Sequence, residues 1–132
     1  MRTYKRFCVY QINKKGGNWL AMVLDVVQSY TDKPGARYKY QGRFSGEEFR
    51  DEILYPKFME AIENGEELIV NLDGGYGYGS SFLEESFGGL VRKLKQEKSA
   101  NVNRVKDIKI VSNDNIAWVD KISEYIRNAM KQ

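Results

Sequence analysis

Apolar and polar positions alternate at strand period in the first part of the chain and recur at helical period later. Tyr4–Ile12 and Trp19–Val27 are rich in β-branched, aromatic and aliphatic residues, and Asn13-Lys14-Lys15-Gly16-Gly17-Asn18 between them is turn material. This predicts a β-hairpin. Leu20, Val23, Leu24 and Val27 also have helical spacing, so a short helix over Leu20–Tyr30 stays open. Asp32-Lys33-Pro34-Gly35 reads as a turn. Ala36–Tyr40 reads as a strand, with Arg37 and Lys39 on one side and Tyr38 and Tyr40 on the other. Ser45 followed by Glu48 predicts a capping box and a helix from Gly46. Its apolar positions are Phe49, Ile53, Leu54, Phe58, Ala61 and Ile62. Pro56 lies inside it, and a proline in a helix interior costs about 3 kcal/mol or more. The helix is therefore expected to bend there or to restart with Pro56 in a first turn. Asn64-Gly65 predicts a left-handed cap.

Leu68-Ile69-Val70-Asn71-Leu72 then reads as a buried strand ended by Asp73. Gly74, Gly75, Gly77 and Gly79, with Tyr76 and Tyr78 between them, make a glycine-rich loop. Ser80 and Ser81 open a helix, and Ser81 with Glu84 fits a second capping box. Leu83, Phe87, Leu90, Val91 and Leu94 share one face. Phe82 is about 100° off that face and is expected to be partly exposed. Gly88 and Gly89 each cost about 1 kcal/mol relative to Ala within a helix. Either close packing or a groove for a partner explains them. Ile108–Val111 is a last strand, Ser112-Asn113-Asp114-Asn115 offers caps, and a final helix runs to about Met130 with Val119, Ile122, Ile126 and Met130 inward. After the hairpin the order is β-α-β-α-β-α, which favours parallel neighbours with helices packed on the sheet. The expectation is one α/β domain over residues 1–132. It has a mixed β-sheet, with an N-terminal hairpin in residues 1–30 before a core in residues 31–132.

Composition narrows the chemistry. The 132 residues are 42% hydrophobic and 30% charged, ordinary for a soluble domain with one core. A net charge of +3 does not indicate nucleic-acid binding. No apolar run approaches the ~18 residues of a membrane span, and no signal peptide is visible. The single cysteine, Cys8, excludes an internal disulfide and suits a reducing cytoplasm. It alternates with the inward set of the first strand and reads as core. No histidine is present, which removes the commonest general base and argues against a zinc site. No cofactor or metal is expected.

Several groups invite a chemical reading. Gly74–Ser81 is neither a P-loop nor a dinucleotide fingerprint and lacks a lysine. Close backbone approach at a helix start nevertheless keeps a small-ligand or nucleotide sensor open. Glu84 and Glu85 are adjacent in a helix and do not face each other. Glu84 is better read as capping, Glu85 as surface, and Asp73 as a turn residue. A serine hydrolase has no histidine to serve as its base; a Ser-Lys variant stays open, but no enzyme is expected. Lys93–Lys109 is basic and reads as a solvated helix end, with an acidic-partner patch as the alternative.

The strand, loop, Ser-Ser pair and helix of Leu68–Leu94 resemble the STAS domain, the fold of the bacterial anti-sigma factor antagonists. Their pattern is an apolar strand, a loop, Asp-Ser-Ser-Gly and a helix. Aligning the Ser-Ser pairs places Ser80 on the serine that those antagonists phosphorylate. Gly79 stands where they carry Asp, and Phe82 where they carry Gly. The chain is more similar still to STAS-like domains of unknown function (DUF4325). That similarity rests on Gly35-Ala36-Arg37-Tyr38, on Ser45-Gly46-Glu47-Glu48-Phe49-Arg50, and on Gly77-Tyr78-Gly79-Ser80-Ser81-Phe82-Leu83-Glu84-Glu85. The resemblance covers roughly residues 26–130. It implies a regulatory, protein-binding module whose partner is a histidine-kinase-like ATPase that phosphorylates serine. Ser80 is the phosphorylation candidate, and Tyr76, Tyr78, Gly79, Ser80, Ser81, Phe82 and Glu85 are the partner-binding candidates. A phosphoryl group adds about −1.5 to −2 charges. Beside Glu84 and Glu85 it is expected to form an acidic patch that repels the partner.

Overall fold

Strand β3 (Glu67–Asn71) is buried through Leu68, Ile69 and Val70, the run of a strand covered on both faces. It lies between β2 (Gly17–Asp25) and β4 (Lys109–Val111), parallel to both. Strand β1 (Cys8–Lys14) pairs antiparallel with β2, and the sheet order is β1-β2-β3-β4. The computed structural model describes the backbone of residues 8–14 and 17–132, and side chains from residue 21 onward. The expected inward position of Cys8, the start of the first predicted strand and the centre of the predicted turn lie outside the described residues.

The second hairpin strand is built into the core. Ala21–Asp25 pair with Glu67–Asn71, and Ala21, Met22 and Leu24 are buried. The helical alternative survives only as α1 (Val26–Ser29), capped by the Asp25 carboxylate, which accepts from Gln28 N at 3.1 Å. The strand predicted over 36–40 does not form. These residues run as a loop with a 3-10 turn at Lys39–Gln41. Their backbone bonds go to the neighbouring segment instead: Gly46 N donates to Ala36 O and Glu47 N to Arg37 O, both at 2.9 Å. The alternation that suggested a strand comes from Tyr38 and Tyr40, which stack on each other at the surface 5.8 Å apart.

The next helix follows its local signals closely. The Ser45 hydroxyl accepts from Glu48 N at 3.0 Å and starts α2 (Gly46–Phe49). A π turn over Arg50–Leu54 leads into α3 (Tyr55–Asn64), with Pro56 in its first turn. The widened turn answers the ring clash and missing N–H of the proline without ending the helix. Gly65 closes α3 with φ 69°, the left-handed cap.

The second long helix has the same construction: α4 (Ser80–Leu83), a π turn over Glu84–Gly88, and α5 (Gly89–Gln96). It buries Phe82, Leu83, Phe87, Leu90, Val91 and Leu94. Helix α6 (Ala117–Lys131) completes the core with Ile122, Ile126 and Ala129. Met130, expected inward, is half-buried against the core, and its neighbour Ala129 is fully buried. Lys95 Nζ donates to Ala129 O at 2.9 Å and Met130 O at 2.8 Å, capping the end of α6. Among the described residues no helix is long and apolar enough to cross a membrane.

Candidate functional site

The loop after β3 is tied down at both ends. The Asp73 carboxylate accepts from Asn113 N and Asp114 N, each at 2.8 Å, and from Asn113 Nδ2 at 3.0 Å. The Asp114 and Asn113 backbone N–H groups hold this carboxyl below its ordinary pKa. Asp114 in turn accepts from Gly74 N at 2.9 Å, and Tyr76 N donates to Asp32 O at 2.9 Å. Asp73 therefore holds a turn, as its position at the strand end predicts. Tyr78 points inward. Its hydroxyl donates to Leu72 O at 3.0 Å, and its ring meets Trp118 edge-on at 5.0 Å. Burial is the main reason its phenol is pushed well above the ordinary tyrosine range.

Gly77 has φ 111°, whereas Gly79 sits at φ −74° with open space where a side chain would go. Only the first needs glycine for its conformation. Gly77→Val is expected to destabilise the domain by about 1–3 kcal/mol. Gly79→Ser, at the N-cap, should stabilise it by a few tenths of a kcal/mol. Paired denaturant melts check the contrast.

Helix α4 starts two residues earlier than its capping signal indicates. Gly79 is the N-cap, so Ser81 lies inside the first turn and does not cap. Glu84 does not reach back to complete a capping box, because arginines hold it. Ser80 and Ser81 are both exposed, and neither hydroxyl makes a hydrogen bond among the described residues. The two serines, with Gly79 and Phe82, form one wall of a shallow groove of about 460 Å³. Gly35, Ala36, Arg37, Tyr38 and Gln41 form the other.

Phe82 departs from the exposed position expected of it. It is 1% exposed and packs against Phe49 at 5.8 Å, Tyr78 at 5.7 Å and Tyr30 at 6.4 Å. The segment 30–49 folds over the start of the helix and covers a face that the helical wheel leaves open. Gly46 permits this closeness: a Cβ there would lie 2.5 Å from Phe82 O.

Glu85 also departs from its expected surface position and is 6% exposed. It belongs to an ion cluster under the serines. Arg37 Nη1 pairs with Glu84 Oε1 at 2.5 Å and Glu85 Oε1 at 3.1 Å. Arg92 Nη1 pairs with Glu84 Oε2 at 2.8 Å, and Arg50 Nη1 pairs with Glu85 Oε2. The hydrogen bond from Arg92, with that from Arg37, draws the Glu84 carboxyl below its ordinary pKa despite its partial burial. Gly88 and Gly89 make room for these groups. A Cβ on Gly88 would strike Glu84 Oε2, and one on Gly89 would lie 2.8 Å from Arg50 Nη1. Glu84 and Glu85, expected to join a phosphoryl group on Ser80 in an acidic patch, are thus already paired with three arginines.

Of the partner-binding candidates, Tyr76, Gly79, Ser80 and Ser81 are exposed, and the last three line the groove. Tyr78, Phe82 and Glu85 instead support that surface from below. Sequence reasoning left out Arg37, Tyr38, Tyr40 and Gln41, although the first two belong to the Gly35–Tyr38 motif. Tyr76 and Tyr40 are 80% and 85% exposed.

A parallel sheet that delivers a glycine loop and a serine-led helix defines a STAS-like α/β domain. The family model described as a STAS-like domain of unknown function (DUF4325) matches residues 45–115, more than half of the 132-residue chain, and the chain belongs to that family. Searches of curated proteins and of solved structures returned no match.

Proposed function

We propose that this domain is a non-enzymatic regulatory module that binds another protein through the face around Ser80. Gly79, Ser80 and Ser81 form one wall of its groove and Arg37, Tyr38 and Gln41 the other; Tyr40 stacks on Tyr38, and Tyr76 is exposed in the loop that leads to Gly79. One observation carries the reading: Ser80 and Ser81 present exposed hydroxyls that the described fold does not use. Tyr38 across the groove, with the exposed Tyr40 stacked on it, and the exposed Tyr76 in the preceding loop are suitable interface anchors. By resemblance to the anti-sigma factor antagonists, the partner is a histidine-kinase-like ATPase, and Ser80 is the residue it phosphorylates. A phosphoryl group on Ser80 adds about −1.5 to −2 charges to a groove whose other wall carries Arg37. It would make that surface acidic without disturbing the core. The alternative, a nucleotide sensor using the glycine loop, is less well supported, because the loop N–H groups of Gly74 and Tyr76 are already bonded within the domain.

The test begins with a pull-down by the tagged domain and continues with titration of the recovered partner. Ser80→Glu is expected to weaken binding tenfold or more and Ser80→Ala to leave it unchanged. Both variants should melt within about 0.5 kcal/mol of wild type. Equal binding by Ser80→Glu would remove the switch, and equal binding by Tyr76→Ala and Tyr40→Ala together would remove the interface.

A further inference from the structure

At the opposite end of β3 from Ser80 lies a second concavity. A cleft of about 360 Å³ opens between the last turn of α3, the start of β3 and the 3-10 turn Val102–Asp107. This is within the size range of small-molecule sites. Its apolar lining comes from Phe58, Ile62, Leu68 and Ile108. Its polar lining is acidic. Glu66 and Glu67 both line it, and Glu66 Oε2 is buried with no hydrogen-bond partner among the described residues. Arg104 is the one cation in the lining, and its Nε pairs with Asp107 Oδ2 at 3.2 Å. Neither Glu66 nor Glu67 has a cationic partner among the described residues. The C-terminal end of α3, closed by Gly65, adds partial negative charge at the same place.

A desolvated carboxylate oxygen without a partner is costly to a fold, and such groups are ordinarily paired. Here its residue lines a cleft with aliphatic and aromatic walls, with Oε2 just beneath the surface. We propose that this cleft binds an organic cation, an ammonium group on a short apolar chain, with Glu66 as its counter-ion. The apolar walls would take the chain and the Glu66 carboxylate the ammonium, a turn of the side chain bringing the unpaired Oε2 to the cleft surface, with Glu67 adding negative potential. A free alkylamine and a lysine side chain of a bound peptide share this chemistry.

The full chain, labelled with nitrogen-15, is titrated in amide correlation spectra with n-butylammonium, with N-acetyl-lysine methylamide, and with 1-butanol as the uncharged analogue. Both ammonium probes test the class. Saturable shifts centred on the amides of Gly65–Leu68 and Ile108 are the expected result, with affinity at least tenfold weaker for butanol and for the Glu66→Gln variant. Tighter binding of the lysine derivative identifies a peptide side chain as the source, and tighter binding of butylammonium a free amine. Glu66→Gln should melt at or above the wild-type temperature, because it removes an unpaired charge. The proposal is overturned if neither ammonium gives saturable shifts there, or if butanol or Glu66→Gln binds equally well. A clear fall in the melting temperature of Glu66→Gln also overturns it, by assigning the carboxylate to the fold.

Discussion

Phe82→Ala is expected to cost about 3–5 kcal/mol of stability, the range for truncating a buried aromatic. The side chain is 1% exposed, and three aromatic neighbours face it. Two of them, Tyr30 and Phe49, come from the segment that closes over the helix start. They cannot follow a shrinking side chain, since Tyr30 Oη donates to Ser45 O at 3.0 Å and Phe49 sits in α2. A cavity should therefore remain. Against a net stability of about 5–15 kcal/mol for a domain of this size, the loss is large. Urea melts with a partner titration separate two roles. If Phe82 acts through the fold, weakened binding tracks the lost stability and recovers in Phe82→Leu. A Phe82→Ala domain that melts like wild type but fails to bind would return Phe82 to the interface. Tyr76→Ala, at an exposed position, should stay within about 0.5 kcal/mol of wild type.

Arg50→Met should be comparably damaging, at about 3–5 kcal/mol, because it leaves the Glu85 carboxylate buried without its closest partner. The side chains of Arg50 and Glu85 are 14% and 8% exposed, too little for water to replace the lost pairing. Arg37 and Arg92 approach the other Glu85 oxygen at 3.1 and 3.4 Å and compensate only in part. The double variant Arg50→Met/Glu85→Leu should recover much of the loss, since removing both members of a buried pair costs less than removing one. A double-mutant cycle measures this, and additive losses would show that the two residues act independently. The same cluster makes the domain acid-sensitive. The folded-state pKa of Glu84 lies below its unfolded value, chiefly through the hydrogen bond from Arg92. Its contribution is therefore complete above the unfolded value of about 4.3 and is lost as pH falls through the folded one. Asp73 acts with the same sign through the Asp114 and Asn113 N–H groups. Melting temperature followed from about pH 6 down to about pH 3 should fall less steeply in Glu84→Gln than in wild type.

Much of the framework was legible in the chain because its signals are local. Ser45 and Glu48 lie within one turn and start α2 as read. Pro56 marks the place where the helix widens and restarts, and Gly65 closes it. The apolar run of β3 is long enough to predict a strand buried on both faces, and the spacing of Leu83, Phe87, Leu90 and Leu94 gives the inward face of its helix. The glycine loop and the Ser80–Ser81 pair were visible for the same reason.

What tertiary structure decided depends on residues far apart in sequence. Residues 36–40 have the alternation of a strand, but their hydrogen-bonding groups meet the start of α2 and no sheet edge. Phe82 lies off the apolar stripe, yet segment 30–49 covers it. Ser81 and Glu84 have the spacing of a capping box. Glu84 is claimed instead by Arg37, 47 positions away, and by Arg92, a stronger attraction than a backbone N–H provides. Gly88 and Gly89 look like helix defects until the arginine and glutamate atoms they admit are placed. A side chain's partner depends on which segments the fold brings within a few ångströms, and spacing along one element cannot specify that.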